Sequence, residues 1–278
     1  MDPLQKLYHE IKPVVHTYVF ELKKQWKKFV AFSLITVLLV LLSGYIIYSV
    51  RPQSRIPSDQ LIYFSNNMGF INFILIFASC FFFAGIICTE FNKNTGAILF
   101  PKINKYKLII GKFLGSYSFL MAIAFVYYST LGILGFYFYD LPINYRYFQS
   151  FGICLLYILA LGSFVTLFSS FLKSENITII VSIVILIIAF STVQQIITLV
   201  IPEVEPLYSI QYVSNLLSSI LQLDFPKTLE ERYTEFTLQN FTFRTWLTPS
   251  IEGGITVMLL YTVICLLIAS ISFKRRQL

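Results

Sequence analysis

Six stretches of this chain, at about 29–50, 68–88, 113–139, 151–172, 177–201 and 251–273, are apolar over the roughly 20 residues that a helix needs to cross a bilayer's hydrocarbon core. Hydrocarbon offers no partner for a backbone N–H or C=O, so a spanning segment must close its own hydrogen bonds and becomes a helix. The expected fold class is therefore an all-α polytopic membrane protein with six transmembrane helices. Composition points the same way. Only 13% of the residues are charged and 56% are hydrophobic, whereas a soluble domain carries about 25% charged residues. Twenty-eight Phe and eighteen Tyr supply aromatic belts for the two interfaces. No removable signal peptide is expected, because the first 28 residues are charged and patterned and no cleavage-type apolar run follows them.

The charge distribution gives an orientation. Fifteen of the 21 Lys and Arg residues fall in the N-terminal segment, the 89–112 loop, the 173–176 loop and the C-terminus. The opposite loops hold the other six and nine of the 14 carboxylates. The positive-inside rule places both termini in the cytoplasm of a multi-pass protein of the cell (plasma) membrane. The net charge of +7 is thus accounted for by topology and anionic lipid, with no nucleic-acid partner implied.

Residues 1–28 form a unit of their own ahead of the transmembrane domain, 29–278. Leu4, Leu7, Ile11, Val14, Val15, Tyr18, Val19, Leu22 and Trp26 recur at helical spacing, while Lys23, Lys24, Lys27 and Lys28 project elsewhere. This pattern predicts an amphipathic helix lying in the cytoplasmic interface, kinked or divided at Pro13. Opposite it, 202–250 is the one large extracytoplasmic segment. Within it Ile210, Val213, Leu217 and Ile220 keep helical spacing, consistent with a re-entrant helix or with one surface helix on a solvated loop. Asn240-Phe241-Thr242 is an outward-facing sequon.

The chemistry that the sequence lacks is informative. No Asp, Glu, Lys, Arg or His lies in the middle of any of the six runs, which disfavours proton relays and gradient-driven transport. Only two His residues exist, His9 and His16, with no third metal ligand nearby. Cys80, Cys88, Cys154 and Cys265 form no CxxC pair and read as buried small hydrophobes. No metal site, catalytic residue or GxxxxGK[ST] phosphate loop is present, so the chain itself is not expected to be an enzyme. The polar residues within the spans (Asn72, Ser79, Ser163, Thr166, Ser182, Ser191) read as helix–helix contacts. Gln194 and Gln195 are candidates for a protomer interface or a transport path, because an amide facing lipid is costly. Gly132, Gly135 and Gly162 would let helices approach closely.

The loop at 89–112 is the least ordinary segment. Glu90 precedes Thr95-Gly96, Ala97, Ile98, Leu99 and Phe100 make one short apolar surface, Pro101 ends it, and Gly111-Lys112 opens the next run. Thr95 can cap a short helix there, and Gly96 relaxes the reversing backbone. An apolar turn on a charged loop needs lipid or a partner's groove in which to bury its face.

This order of residues resembles the permeases of ABC transporters of the type 2 exporter class, and in particular those without a fused ATPase. In that class the loop between spans two and three carries a coupling helix that docks on the nucleotide-binding subunit. The resemblance implies that Thr95, Gly96, Ala97, Ile98, Leu99 and Pro101 contact the ATPase, and that Glu90 and Lys112 hold the loop's ends, paired with each other or with the interfacial helix. It implies two ATPase subunits that bind ATP and Mg, and a second permease copy or a sister chain. The uncharged interior then favours a hydrophobic or amphipathic cargo such as a peptide, lipid or drug-like molecule. The rival expectation is an ABC-driven assembly or mechanotransmission protein that acts on an outer partner through 202–250 and moves no cargo.

Overall fold

The computed structural model describes residues 3–45, 57, 59–92, 104–139, 142–238 and 241–275. Six of its helices are long and apolar enough to cross a membrane: Ile11–Tyr45, Gln60–Phe91, Lys105–Phe138, Tyr145–Phe171, Glu175–Val200 and Ile251–Arg275, the first to sixth spans. The chain is an all-α polytopic membrane protein. The second span starts well before residue 68, since the Asp59 carboxylate caps its first turn by accepting the Leu61 amide.

The second, third and fourth spans form the interior, and the first, fifth and sixth pack around them with most of their surface exposed. Aromatic rings seated on glycine set the close contacts inside. A Cβ on Gly135 would lie 2.5 Å from the Phe64 ring, and one on Gly162 would lie 2.5 Å from the Phe83 ring. Gly132 leaves more room, with Tyr147 Oη at 3.6 Å from its notional Cβ.

The first helix departs from expectation. Pro3–Tyr45 is one helix of 43 residues, so no turn separates the amphipathic segment from the first span and Pro13 does not divide it. The reason lies in the third span. Gly111 and Gly115 bring its backbone against Val14, Thr17, Tyr18 and Glu21, where a Cβ on Gly111 would come within 2.7 Å of Thr17 Cβ. The face turned to the protein is polar, with Thr17, Glu21 and Gln25 buried at four-residue spacing. Ile11, Val15, Val19 and Trp26 are exposed, where lipid would lie. The apolar stripe is thus split: these residues point away from the bundle, while Val14, Tyr18 and Leu22 are half-buried along the seam.

At one end of the bundle the Phe91 ring meets the Phe273 ring, 5.7 Å between centroids, and joins the exits of the second and sixth spans. We call this the proximal end. The distal end carries 202–250. There Ile210, Val213, Leu217 and Ile220 are all buried, on two short helices, Ile210–Ser214 and Leu216–Ser219, and at the C-cap of the second, inserted among the spans. They are held by polar contacts from the interior: Asn72 Nδ2 donates to Ser214 Oγ (2.8 Å), Ser150 Oγ to the Leu217 carbonyl (2.7 Å) and Ser191 Oγ to Gln211 Oε1 (2.7 Å). Asn72 and Ser191 therefore bind the distal insert, whereas Ser163 and Thr166 bond carbonyls of their own helix. An antiparallel hairpin that the periodicity did not announce follows, β1 (Tyr233–Leu238) and β2 (Phe241–Trp246), with Glu235 opposite Arg244. Asn240 lies outside the described residues.

Candidate functional site

The second span is irregular at Ala84, between the helical stretches Gly69–Phe83 and Gly85–Asn92, although Ala84 keeps helical dihedrals and donates to the Cys80 carbonyl at 3.2 Å. An interruption leaves carbonyls and amides that buried surroundings must satisfy. Here side chains from three other spans do so. Lys28 Nζ reaches the Phe81 carbonyl at 3.2 Å, and Gln25 Nε2 and Ser116 Oγ reach that of Phe82 at 3.4 and 2.9 Å. Ser169 Oγ donates to the Ala84 carbonyl at 2.6 Å and accepts the amides of Ile87 and Cys88 at 3.0 and 3.1 Å. Lys112 Nζ donates to the Ile86 carbonyl at 3.3 Å. One serine hydroxyl thus bridges the break from both sides.

The same layer concentrates charge. Lys112 and Glu90, both nearly inaccessible at 3% and 5% exposure, form an ion pair between the end of the second span and the start of the third. Lys28 pairs with Glu175 at 2.9 Å, which joins the first span to the fifth. Glu21 pairs with Lys24 at 3.2 Å and accepts from Gln25 through Oε1, while its buried Oε2 has no hydrogen-bond partner among the described residues. For the buried Glu90–Lys112 pair, a low-dielectric setting makes splitting costly, because the surviving partner is left charged. That pair and the Ser169 bridge hold the segment on the proximal side of Ala84.

Of the residues singled out in the sequence, Glu90 and Lys112 are brought together at the base of the 89–112 loop. Thr95, Gly96, Ala97, Ile98, Leu99 and Pro101 lie outside the described residues. Gln194 and Gln195 stand apart, in the far half of the fifth span after a π turn at Ile185–Ala189; Gln194 is half-buried and Gln195 exposed. Sequence reasoning missed Glu21, Gln25, Ser169 and Glu175. The four-residue run Thr17, Glu21, Gln25 was a legible signal, whereas nothing local marks Ser169 among its neighbouring serines.

Among the described residues no group of three His, Cys, Asp or Glu side chains could hold a metal, and the four cysteines are free and buried. The site can transmit displacement: Gly85–Asn92 is a short rigid rod, pinned at Ala84 by Ser169 and at Glu90 by Lys112. No family model and no curated protein matches the chain.

Proposed function

We propose that the chain is the membrane-embedded permease subunit of an ATP-driven ABC exporter of the type 2 class, and that it exports a hydrophobic or amphipathic cargo. The observation that carries this reading is the buried Glu90–Lys112 pair closing the base of the 89–112 loop, directly beyond the interruption at Ala84. A loop whose two ends are locked together moves as one piece, so a push on its tip reaches the second and third spans jointly. The proximal end faces the cytoplasm of a cell membrane in this reading. Thr95, Gly96, Ala97, Ile98, Leu99 and Pro101 meet a separate ATPase, which binds the ATP and Mg. Two permease copies, or this chain and a sister, enclose the path, with Gln194 and Gln195 at the shared surface or along the path.

The assembly or mechanotransmission reading has one observation in its favour. The β1–β2 hairpin at the distal end exposes Phe236 and Glu235, a surface suited to an outer partner. Transport separates the two readings. Affinity capture of the tagged full chain is expected to retain an ATPase subunit, and Leu99→Asp to release it while the permease stays in the membrane. ATP-dependent loss of a labelled amphiphile from reconstituted vesicles supports export. Retention of the ATPase by Leu99→Asp with full coupling would refute the docking assignment.

A further inference from the structure

An open cleft of about 1130 Å³ lies at the distal end, between the start of the fourth span and the start of the sixth. Its floor is apolar, built by Ile153, Leu156 and Ile255, and it is overhung by the chain from Ile220 to Lys227 that follows the inserted short helices. Gly152 opens the floor: it is exposed, and no atom lies within 4 Å of where its Cβ would sit. The cleft therefore continues sideways onto the surface that lipid would cover.

The rim is charged. Arg146 Nη1 donates to the carbonyls of Gln222 (2.6 Å) and Leu223 (3.1 Å), which fixes the guanidinium while leaving further donors for a ligand. Lys227 and Asp224 line the same rim and are exposed. Among the described residues none of these three takes part in an ion pair. Glu231, the fourth charged group of the lining, is committed to the backbone amides of Lys227 and Thr228 at 2.8 and 3.4 Å. The rim thus offers two cations and one carboxylate that take part in no ion pair among the described residues, above a hydrocarbon floor.

We infer that this cleft binds a zwitterionic phospholipid bearing a primary amine, of the phosphatidylethanolamine kind. The phosphate meets Arg146 and Lys227, the ammonium meets Asp224, and an acyl chain lies along Gly152, Ile153, Leu156 and Ile255. A fixed guanidinium suits a phosphate oxygen pair. A peptide in the same place would bring unbonded backbone groups to lipid depth, which hydrocarbon penalises. The site is independent of any ATPase and of whether the chain exports a cargo.

The test uses the full chain, stripped of lipid in a neutral detergent and titrated with phosphatidylethanolamine, phosphatidylglycerol and diacylglycerol of the same acyl chains. Bound lipid is counted by native mass spectrometry. One phosphatidylethanolamine per chain is expected to bind in preference to both others. Lys227→Gln, an exposed substitution, should weaken it about tenfold, the scale of one charge-assisted hydrogen bond. Gly152→Trp should abolish binding by filling the floor, with the helix content and elution volume of the parent. The assignment fails if phosphatidylglycerol binds as well or better, if the three lipids bind alike, or if Gly152→Trp retains the adduct.

Discussion

Glu90 and Lys112, 22 positions apart in sequence, are joined by a buried ion pair, and Lys112 also holds the Ile86 carbonyl across the same gap. Removing either partner leaves a dry charge, a loss on the order of 3–5 kcal/mol. Lys112→Met and Glu90→Gln should each lower the thermal midpoint of the detergent-solubilised chain clearly. The double variant removes both charges, so its loss should fall well short of the sum of the two singles. Additive losses in that cycle would mean the residues act apart.

Ser169 is the second pin. Its hydroxyl is buried, accepts two amides and donates to the Ala84 carbonyl, so Ser169→Ala strands polar groups of another helix. The expected cost is about 1–3 kcal/mol, and it should be local. Hydrogen exchange should speed up at Ile87 and Cys88 ahead of the rest of the second span. Uniform exchange along that span would show that the serine does not anchor the break.

What could be read without the fold divides along a physical line. Hydropathy marks lipid-length helices wherever they are, so all six spans were legible, as was the buried run Ile210, Val213, Leu217, Ile220. Burial direction was not legible. In water the apolar stripe of the first helix would be its packing face, but beside lipid Ile11, Val15, Val19 and Trp26 turn outward and Thr17, Glu21 and Gln25 turn in, with Leu22 beside them. Lys28, grouped by sequence with the interfacial lysines, reaches Glu175 from 147 residues away, a contact that no local pattern encodes. The β1–β2 hairpin was missed for a similar reason: its short alternating strands sit in a segment whose strongest period is helical.

The seam between the first helix and the third span depends on Gly111 more than on any side chain. A Cβ there meets Thr17 Cβ at 2.7 Å and the Val14 carbonyl at 2.8 Å, and the latter is backbone that cannot swing aside. Gly111→Leu should push the helix outward at a cost of about 1–3 kcal/mol, typical of overpacking. It should also separate Tyr18 from Ser118, now hydrogen-bonded at 3.1 Å. Tyr18→Phe should therefore lower the thermal midpoint in the parent background and change it little on top of Gly111→Leu. An equal loss in both backgrounds would show that the seam tolerates the added bulk.

At the distal end, the Glu231 carboxylate accepts the amides of Lys227 and Thr228, and these hydrogen bonds hold its pKa below the ordinary glutamate range. The group is fully exposed, so the effect is confined to the loop. A depressed folded-state value means the charged form is the one stabilised. The contribution is complete above the unfolded glutamate value, about 4.3, and disappears as pH falls through the lower folded value. Amide protection at Lys227 and Thr228 should therefore be flat from neutral pH to about 5 and fall below it, after correction for intrinsic exchange rates. Glu231→Gln should abolish that acid step and leave the protection of the spans unchanged; an acid step that survives the substitution would assign it to another group.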